Sequence, residues 1–232
     1  MSKNLVKRIR TSTILLFLFL FVNFSNQYIF IFSILLIGIM ICVEANNIFL
    51  KLLVTQSLKQ KDFYKKFDIK FLLLNLITFS YVFFIFCNFS YEIYKLKSPI
   101  FFLYVVIICF FTYIGGYVIG KIIGGKKLSK ISPNKTISGT IGSFLFSLIP
   151  LILFINFDYF DYFDLNFDLK NFFFNLLISL VSQLGDLFIS FLKRKVKIKD
   201  TGKILPGHGG ILDRVDGIIF AVPFSFFLLK LI

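Results

Sequence analysis

PIFFLYVVIICFFTYIGGYVI, residues 99–119, contains no charged residue, and Lys97 and Lys121 flank it. Crossing a hydrocarbon core of roughly 30 Å takes about 20 residues as a helix, so this run is long enough to span a bilayer. Its large apolar residues follow neither a 3.6- nor a 2.0-residue rhythm, as expected where lipid surrounds a helix on most sides.

Six more runs flank it, at 13–24, 28–43, 70–88, 138–156, 171–191 and 217–232. The expected fold is therefore all-α: a polytopic helical membrane protein of about seven transmembrane helices, forming one domain over residues 1–232. The first run is short, and with the second it reads as a hairpin turning at residues 23–27. Lys3, Lys7, Arg8 and Arg10 before it resemble a signal peptide, but Asn23, Ser25, Asn26 and Gln27 stand where small cleavage-site residues are expected, so an uncleaved span is the reading.

Composition agrees. The chain is 57% hydrophobic and 16% charged, contains 35 Phe and has a mean hydropathy of +0.86, which leaves too little polar surface for a soluble domain. The net charge of +14 does not point to nucleic acid, because the basic residues sit between the apolar runs. The N-terminus holds 4 Lys/Arg, residues 44–70 hold 6, residues 121–135 hold 5 and residues 193–214 hold 7 of the total of 26. The remainder (Lys95, Lys97, Lys170, Lys230) lie in the alternate loops or at the C-terminus. Basic residues favour cytoplasmic loops, so seven crossings put the N-terminus inside. Cys42, Cys87 and Cys109 lie within apolar runs without metal-ligand spacing and read as packing residues.

The densest polar stretch follows the sixth run and extends from Gly185-Asp186 through Ser190, Lys193 and Arg194 to KDTGKILPGHGGILDRVDG, residues 199–217. Lysine and arginine hold phosphate, carboxylates hold Mg²⁺, and glycine lets backbone approach a polyphosphate, so the chemistry is phosphoryl or nucleotidyl transfer. The bland alternative is a basic loop whose glycines and Pro206 only make turns. Against it stands Asp186, which in an apolar helix costs about 2.5–3.5 kcal/mol unless paired or bound to a cation. Asp213 and Asp216, three apart, share a face in a helical turn and are candidate co-ligands of a divalent ion. His208, the single histidine, reads as a phosphate or structural contact. Asp158, Asp161, Asp164 and Asp168 read as a solvated acidic loop.

The run from Ser190 to Asp216 resembles the signature of the phosphatidate cytidylyltransferases, or CDP-diacylglycerol synthases. The matching positions are Ser190, Lys193, Arg194, Lys199, Asp200, Gly202, Pro206, His208, Gly209, Gly210, Asp213, Arg214 and Asp216. A second region, Gly116 to Lys121 followed by Ile131-Ser-Pro-Asn-Lys-Thr-Ile-Ser-Gly139, resembles the family's middle part. On physical grounds alone, Gly116, Gly120 and Gly124 make a small-residue stripe for helix packing, and residues 132–135 make a turn.

The resemblance implies transfer of a cytidylyl group from CTP to phosphatidic acid, giving CDP-diacylglycerol and pyrophosphate, in a multi-pass protein of the inner (cytoplasmic) membrane. It implies a candidate catalytic set of Asp186, Lys199, Asp200, Asp213 and Asp216, with Mg²⁺ held by Asp186, Asp213 and Asp216 and with Asp200 orienting a neighbouring lysine. Phosphate or CTP contacts would come from Ser132, Lys135, Ser190, Lys193, Arg194, His208, Gly209, Gly210 and Arg214. Dimerisation through a glycine stripe is a further family-level implication.

The chain departs from the pattern at Tyr113, where Asp is usual, at Ser138 and Ile189, where Glu is usual, and at Ile137, where Trp is usual. Lost carboxylates near a metal would weaken binding or leave it to Asp186, Asp213 and Asp216. The rivals are a degenerate member, which would bind CTP without turning it over, and a small transporter with Asp186 on its path, which would show ion flux. A rival enzyme class is the CDP-alcohol phosphatidyltransferases, but their Asp-Gly…Ala-Arg…Gly…Asp…Asp arrangement is absent.

Overall fold

A computed structural model describes residues 3–57, 63–96, 98–129, 132, 135–155, 168–207 and 209–231, with backbone alone at 3–9, 55–57 and 63–68. His208, Asp158, Asp161 and Asp164 lie outside these residues. The elements in order are α1 (Lys3–Phe24), α2 (Gln27–Ser57), α3 (Phe63–Ser80), a π-helical segment (Tyr81–Cys87), α4 (Asn88–Leu96), α5 (Pro99–Ile123), α6 (Ile137–Ser147), α7 (Ile149–Ile155), α8 (Leu169–Lys195), α9 (Leu212–Val215) and α10 (Ile218–Leu231).

Within the described residues, each apolar run of the sequence is helical over most of its length. Among the described residues, five stretches are both long and apolar enough to cross a membrane: Gln27–Val54, Ile69–Leu96, Pro99–Ile123, Ile137–Ile155 and Leu169–Lys195. Arg10–Phe24 and Ile218–Leu231 are apolar but shorter. Large apolar side chains point outward along the spans, with Phe17, Tyr28, Phe84 and Phe110 each more than 60% exposed, as suits contact with lipid.

Two boundaries differ from expectation in a way that matters later. The run at 28–43 was expected to end at the polar residues Glu44, Asn46 and Asn47, yet α2 continues through them to Ser57. The run at 70–88 likewise continues to Leu96. A helix interior tolerates such residues when other parts of the protein satisfy them.

The chain divides into two units, Met1–Tyr91 with Leu192–Val215, and Glu92–Phe191 with Asp216–Ile232. In the first, α2 packs against α1, α3, the π-helical segment and α9. Gly38 leaves room there for Cys87 and Val82, since a Cβ at that position would meet Cys87 Sγ at 3.0 Å. Cys87 and Cys109 are buried, and all three cysteines are free thiols, as packing residues should be.

In the second unit α5 and α6 meet backbone to backbone. A Cβ on Gly116 would lie 2.6 Å from Ser143 Oγ, and one on Gly139 would lie 2.7 Å from Gly116 O. Gly115 and Gly142 are equally crowded. The expected small-residue stripe is thus real at Gly116 and Gly120, and α6 of the same chain occupies it. Gly124 does not belong to it: with φ +64 and open space around its Cβ position, it terminates α5. Ser98 caps the start of α5, accepting from the Ile100 and Phe101 N–H groups at 3.2 and 3.3 Å. Thr136 does the same for α6, accepting from Gly139 N–H at 3.1 Å. The unit's core is aromatic: Tyr104, fully buried, stacks with Phe174 and meets Phe101 and Phe154. Its hydroxyl accepts from Asn175 Nδ2 at 2.7 Å.

Candidate active site

The signature segment of the first unit begins where α8 ends. Lys197, at φ +56, reverses the chain, with Ile198 N–H donating to Lys193 O at 3.0 Å. A tight turn follows, closed by Leu205 N–H donating to Gly209 O at 2.9 Å. Gly207 (φ +79) and Gly209 (φ +85) stand where a side chain would be strained. The short helix α9 then carries Asp213.

Asp213 organises this segment. Its Oδ1 receives Lys193 Nζ at 2.7 Å, and the two side chains are 6% and 11% exposed respectively. Its Oδ2 accepts from Thr201 N–H at 2.7 Å and Gly210 N–H at 3.0 Å, so a carboxylate inside α9 holds the backbone on both sides of the turn. Burial pushes the Asp213 carboxyl up. The hydrogen bonds from Lys193, Gly210 and Thr201 and the lysine's charge outweigh that, leaving its pKa below the ordinary 3.8.

A second carboxylate, absent from the sequence-derived set, completes the cluster. Glu44 of α2 is 2% exposed. Its Oε2 accepts from Thr201 Oγ1 at 2.6 Å and Leu212 N–H at 2.9 Å, and its Oε1 accepts from Ile211 N–H at 2.9 Å. Thr201 Oγ1 also lies 3.1 Å from Asp213 Oδ2, but it has one proton and the shorter contact takes it. The signal in the sequence was a carboxylate beside an apolar run; reading 44–47 as the start of a loop hid it.

The cations on this segment separate into two kinds. Lys193, expected as a phosphate contact, is buried in its ion pair with Asp213. Arg194, Lys199 and Arg214 are exposed, as is Asp200. Gly209 and Gly210 serve the close approach of Asp213, Glu44 and Thr201.

In the second unit, Lys135 Nζ pairs with Asp186 Oδ2 at 2.5 Å, and Ser190 Oγ donates to Asp186 Oδ1 at 3.2 Å. The charge expected to be costly inside α8 is therefore neutralised within the protein, by a lysine that the sequence marked as a phosphate contact. Ser132 accepts from Lys135 N–H at 3.1 Å through its carbonyl. Asp216 Oδ1 accepts from Gly217 N–H at 2.9 Å. A Cβ on Gly185 would lie 2.7 Å from Asp216 O, so α8 beside Asp186 packs directly on the chain entering α10.

Among the described residues, no group of three or more His, Cys, Asp and Glu side chains is placed to hold a metal ion. Asp213 has Lys193 on one oxygen and two N–H groups on the other, and Asp186 has a donor on each oxygen. A divalent ion would have to displace these donors, so the expected ligand set does not fit one as it stands. Of the departures, Tyr113 is exposed and Ile189 is buried at 6%, while Ser138 Oγ donates to Gly124 O and supports the turn before α6.

The cytidylyltransferase family model matches residues 45–232. The chain belongs to the cytidylyltransferase family. Its relatives include proteins named phosphatidate cytidylyltransferase: one from Bacillus subtilis (strain 168), 40% identical over 129 residues, covering 55% of this chain and 46% of the relative. Another, from Staphylococcus aureus (strain COL), is 45% identical over 124 residues, covering 52% and 45%. A third, from Rickettsia bellii (strain RML369-C), is 44% identical over 112 residues, covering 47% and 48%. The chain spans about half the length of the curated relatives it matches. Asp213, Lys193 and Thr201 fall within the family match, whereas Glu44 lies one position before it.

Proposed function

We propose that this family member transfers a cytidylyl group from CTP to phosphatidic acid, giving CDP-diacylglycerol and pyrophosphate. The observation that carries the reading is the family match over residues 45–232, which includes the whole glycine-rich basic segment around Asp213. A phosphate oxygen of the lipid attacks the α-phosphorus of CTP, the bond to the β-phosphate oxygen breaks, and pyrophosphate leaves with the electron pair. Arg194, Lys199 and Arg214 are the cations we assign to the nucleotide's phosphates, where they offset charge developing on the leaving group. Asp200 orients Lys199. Lys193 and Asp213 hold the segment's backbone in shape. Ser132 and Lys135 are retained as phosphate contacts, with Lys135 exchanging its hold on Asp186.

The charge bias favours placing the basic loops at 121–135 and 193–214 on the cytoplasmic side of an inner membrane, where CTP is available. That orientation assigns seven crossings, with Arg10–Phe24 and Ile218–Leu231 as the two short ones.

The test is pyrophosphate release by the purified protein in detergent micelles supplied with CTP as its magnesium complex, with and without phosphatidic acid. Lipid-dependent release is expected. Absence of release from folded protein that still binds CTP would overturn the proposal and mark Tyr113, Ser138 and Ile189 as sites of lost catalysis.

A further inference from the structure

From Glu44 we infer a positioning residue for this reaction: a buried carboxylate on a membrane helix that holds the nucleotide-binding segment in its working shape. The inference rests on the function proposed above, in that the segment it holds is the one carrying Lys199 and Arg214.

The argument starts with donors. The first N–H groups of α9 have no partner within their own helix, and a short helix has few internal bonds to hold them. Glu44 supplies acceptors for Ile211 N–H and Leu212 N–H, both at 2.9 Å, and reaches Thr201 Oγ1 at 2.6 Å. One side chain thus fixes both ends of the glycine-rich turn, at residue 201 and at residues 211–212. It does so from α2, more than 150 positions away in sequence.

The glycines give an independent observation. A Cβ on Gly202 would lie 2.6 Å from Glu44 Oε1, and one on Gly210 would collide with both Glu44 Oε2 and Thr201 Oγ1. Neither glycine has a positive φ. Their lack of a side chain is therefore explained by the carboxylate they enclose. Two glycines of the segment are fitted to Glu44, and the carboxylate is fitted to the segment.

Held in this way, the backbone presents Lys199 and Arg214 from a fixed frame. When the frame is loosened, binding falls in proportion to the competent fraction, while nucleotide already bound re-forms the frame. The expected kinetic mark is a raised KM for CTP with kcat largely kept.

Two variants test this in the full-length protein in detergent. Glu44→Gln keeps size but turns one acceptor oxygen into an amide NH2 donor facing Leu212 N–H or Ile211 N–H. Gly202→Ala, whose methyl would lie 2.6 Å from Glu44 Oε1, acts from the loop side. Trypsin cleavage at Lys199 and Lys203 reports opening of the segment without requiring turnover. A hydrogen bond to a charged group is worth roughly ten- to a hundredfold in such an equilibrium. We expect cleavage to rise at least about tenfold in each variant and the KM for CTP at least about fivefold, with kcat within about threefold. The double variant should open little further than either single one, because both changes break the same contact.

Parental cleavage in Glu44→Gln would overturn the inference. So would faster cleavage with an unchanged KM, which would make Glu44 a stabilising residue only. If the parent releases no pyrophosphate, the proposed reaction fails by itself. Protection of Lys199 and Lys203 by CTP, lost in Glu44→Gln, then still decides the positioning role.

Discussion

Replacing Asp213 by Asn tests whether the signature segment is held by charge rather than by shape. The side chain changes by one atom, but that atom carries a hydrogen bond in either orientation. With the amide nitrogen at the Oδ1 position, two donors face each other where Lys193 Nζ now sits 2.7 Å from the carboxylate. With the nitrogen at Oδ2, it meets Thr201 N–H and Gly210 N–H, now at 2.7 and 3.0 Å. The first arrangement leaves an ammonium of 11% side-chain exposure without a counter-charge. Removing one partner of a buried pair costs about 3–5 kcal/mol. The second arrangement strands two backbone donors at about 1–3 kcal/mol each. Either way Asp213→Asn should destabilise the first unit by about 2 kcal/mol or more.

The assay is reversible unfolding in mixed micelles, titrated with a denaturing detergent and followed by accessibility of Cys87, which is buried in that unit. Combining the change with Lys193→Met removes the stranded charge. The double variant should therefore be more stable than the two single losses added together, by at least about 1 kcal/mol. Additive losses, or an Asp213→Asn variant within about 0.5 kcal/mol of the parent, would refute the argument that this pair organises the segment.

Three further outcomes follow from the same structure. Because the folded Asp213 pKa lies below 3.8, its contribution to stability is fully present above that value and is lost as pH falls through the folded one; acid unfolding below about pH 4 should be less steep in Asp213→Asn, and an unchanged slope would argue against it. Gly142→Ala places a methyl against Ile119 and 2.8 Å from Gly115 O; it should cost about 1–3 kcal/mol in the second unit, read as a lowered Tm, and parental stability would contradict the backbone contact between α5 and α6. Tyr104→Phe removes the hydroxyl that accepts from Asn175 Nδ2 at 2.7 Å, while Asn175 keeps Asn171 O at 2.8 Å; the loss in the same melting assay should stay near 0.6 kcal/mol, and a loss above about 2 kcal/mol would show the pair to be more than a local bond.

The helices were legible because lipid imposes a requirement that composition alone reveals: a run of about 20 apolar residues satisfies its own backbone and needs no partner. Gly116 and Gly120 were legible for a related reason, since a small-residue stripe on an apolar helix has few uses besides close packing. Gly124 continued the same spacing but belongs to the helix end, which spacing cannot distinguish. Boundaries were lost at Glu44 and Asn88, where polar residues mimic a loop.

The same limit governs the site. A sequence shows where a charge stands but not what neutralises it, because the neutralising group arrives from a distant segment. Lys135 and Lys193 read as phosphate ligands, and Asp186 and Asp213 as metal ligands; in the structure each lysine is engaged by a carboxylate of its own unit, at 2.5 and 2.7 Å. Glu44 was passed over because the groups that make its burial tolerable are backbone N–H donors, which have no letter in the sequence. Pairing thus sorts the polar residues by availability. Those that close buried pairs shape the backbone, while Arg194, Lys199 and Arg214 stay exposed on it, which is why the proposed phosphate contacts fall to these three rather than to a lysine held in a buried ion pair.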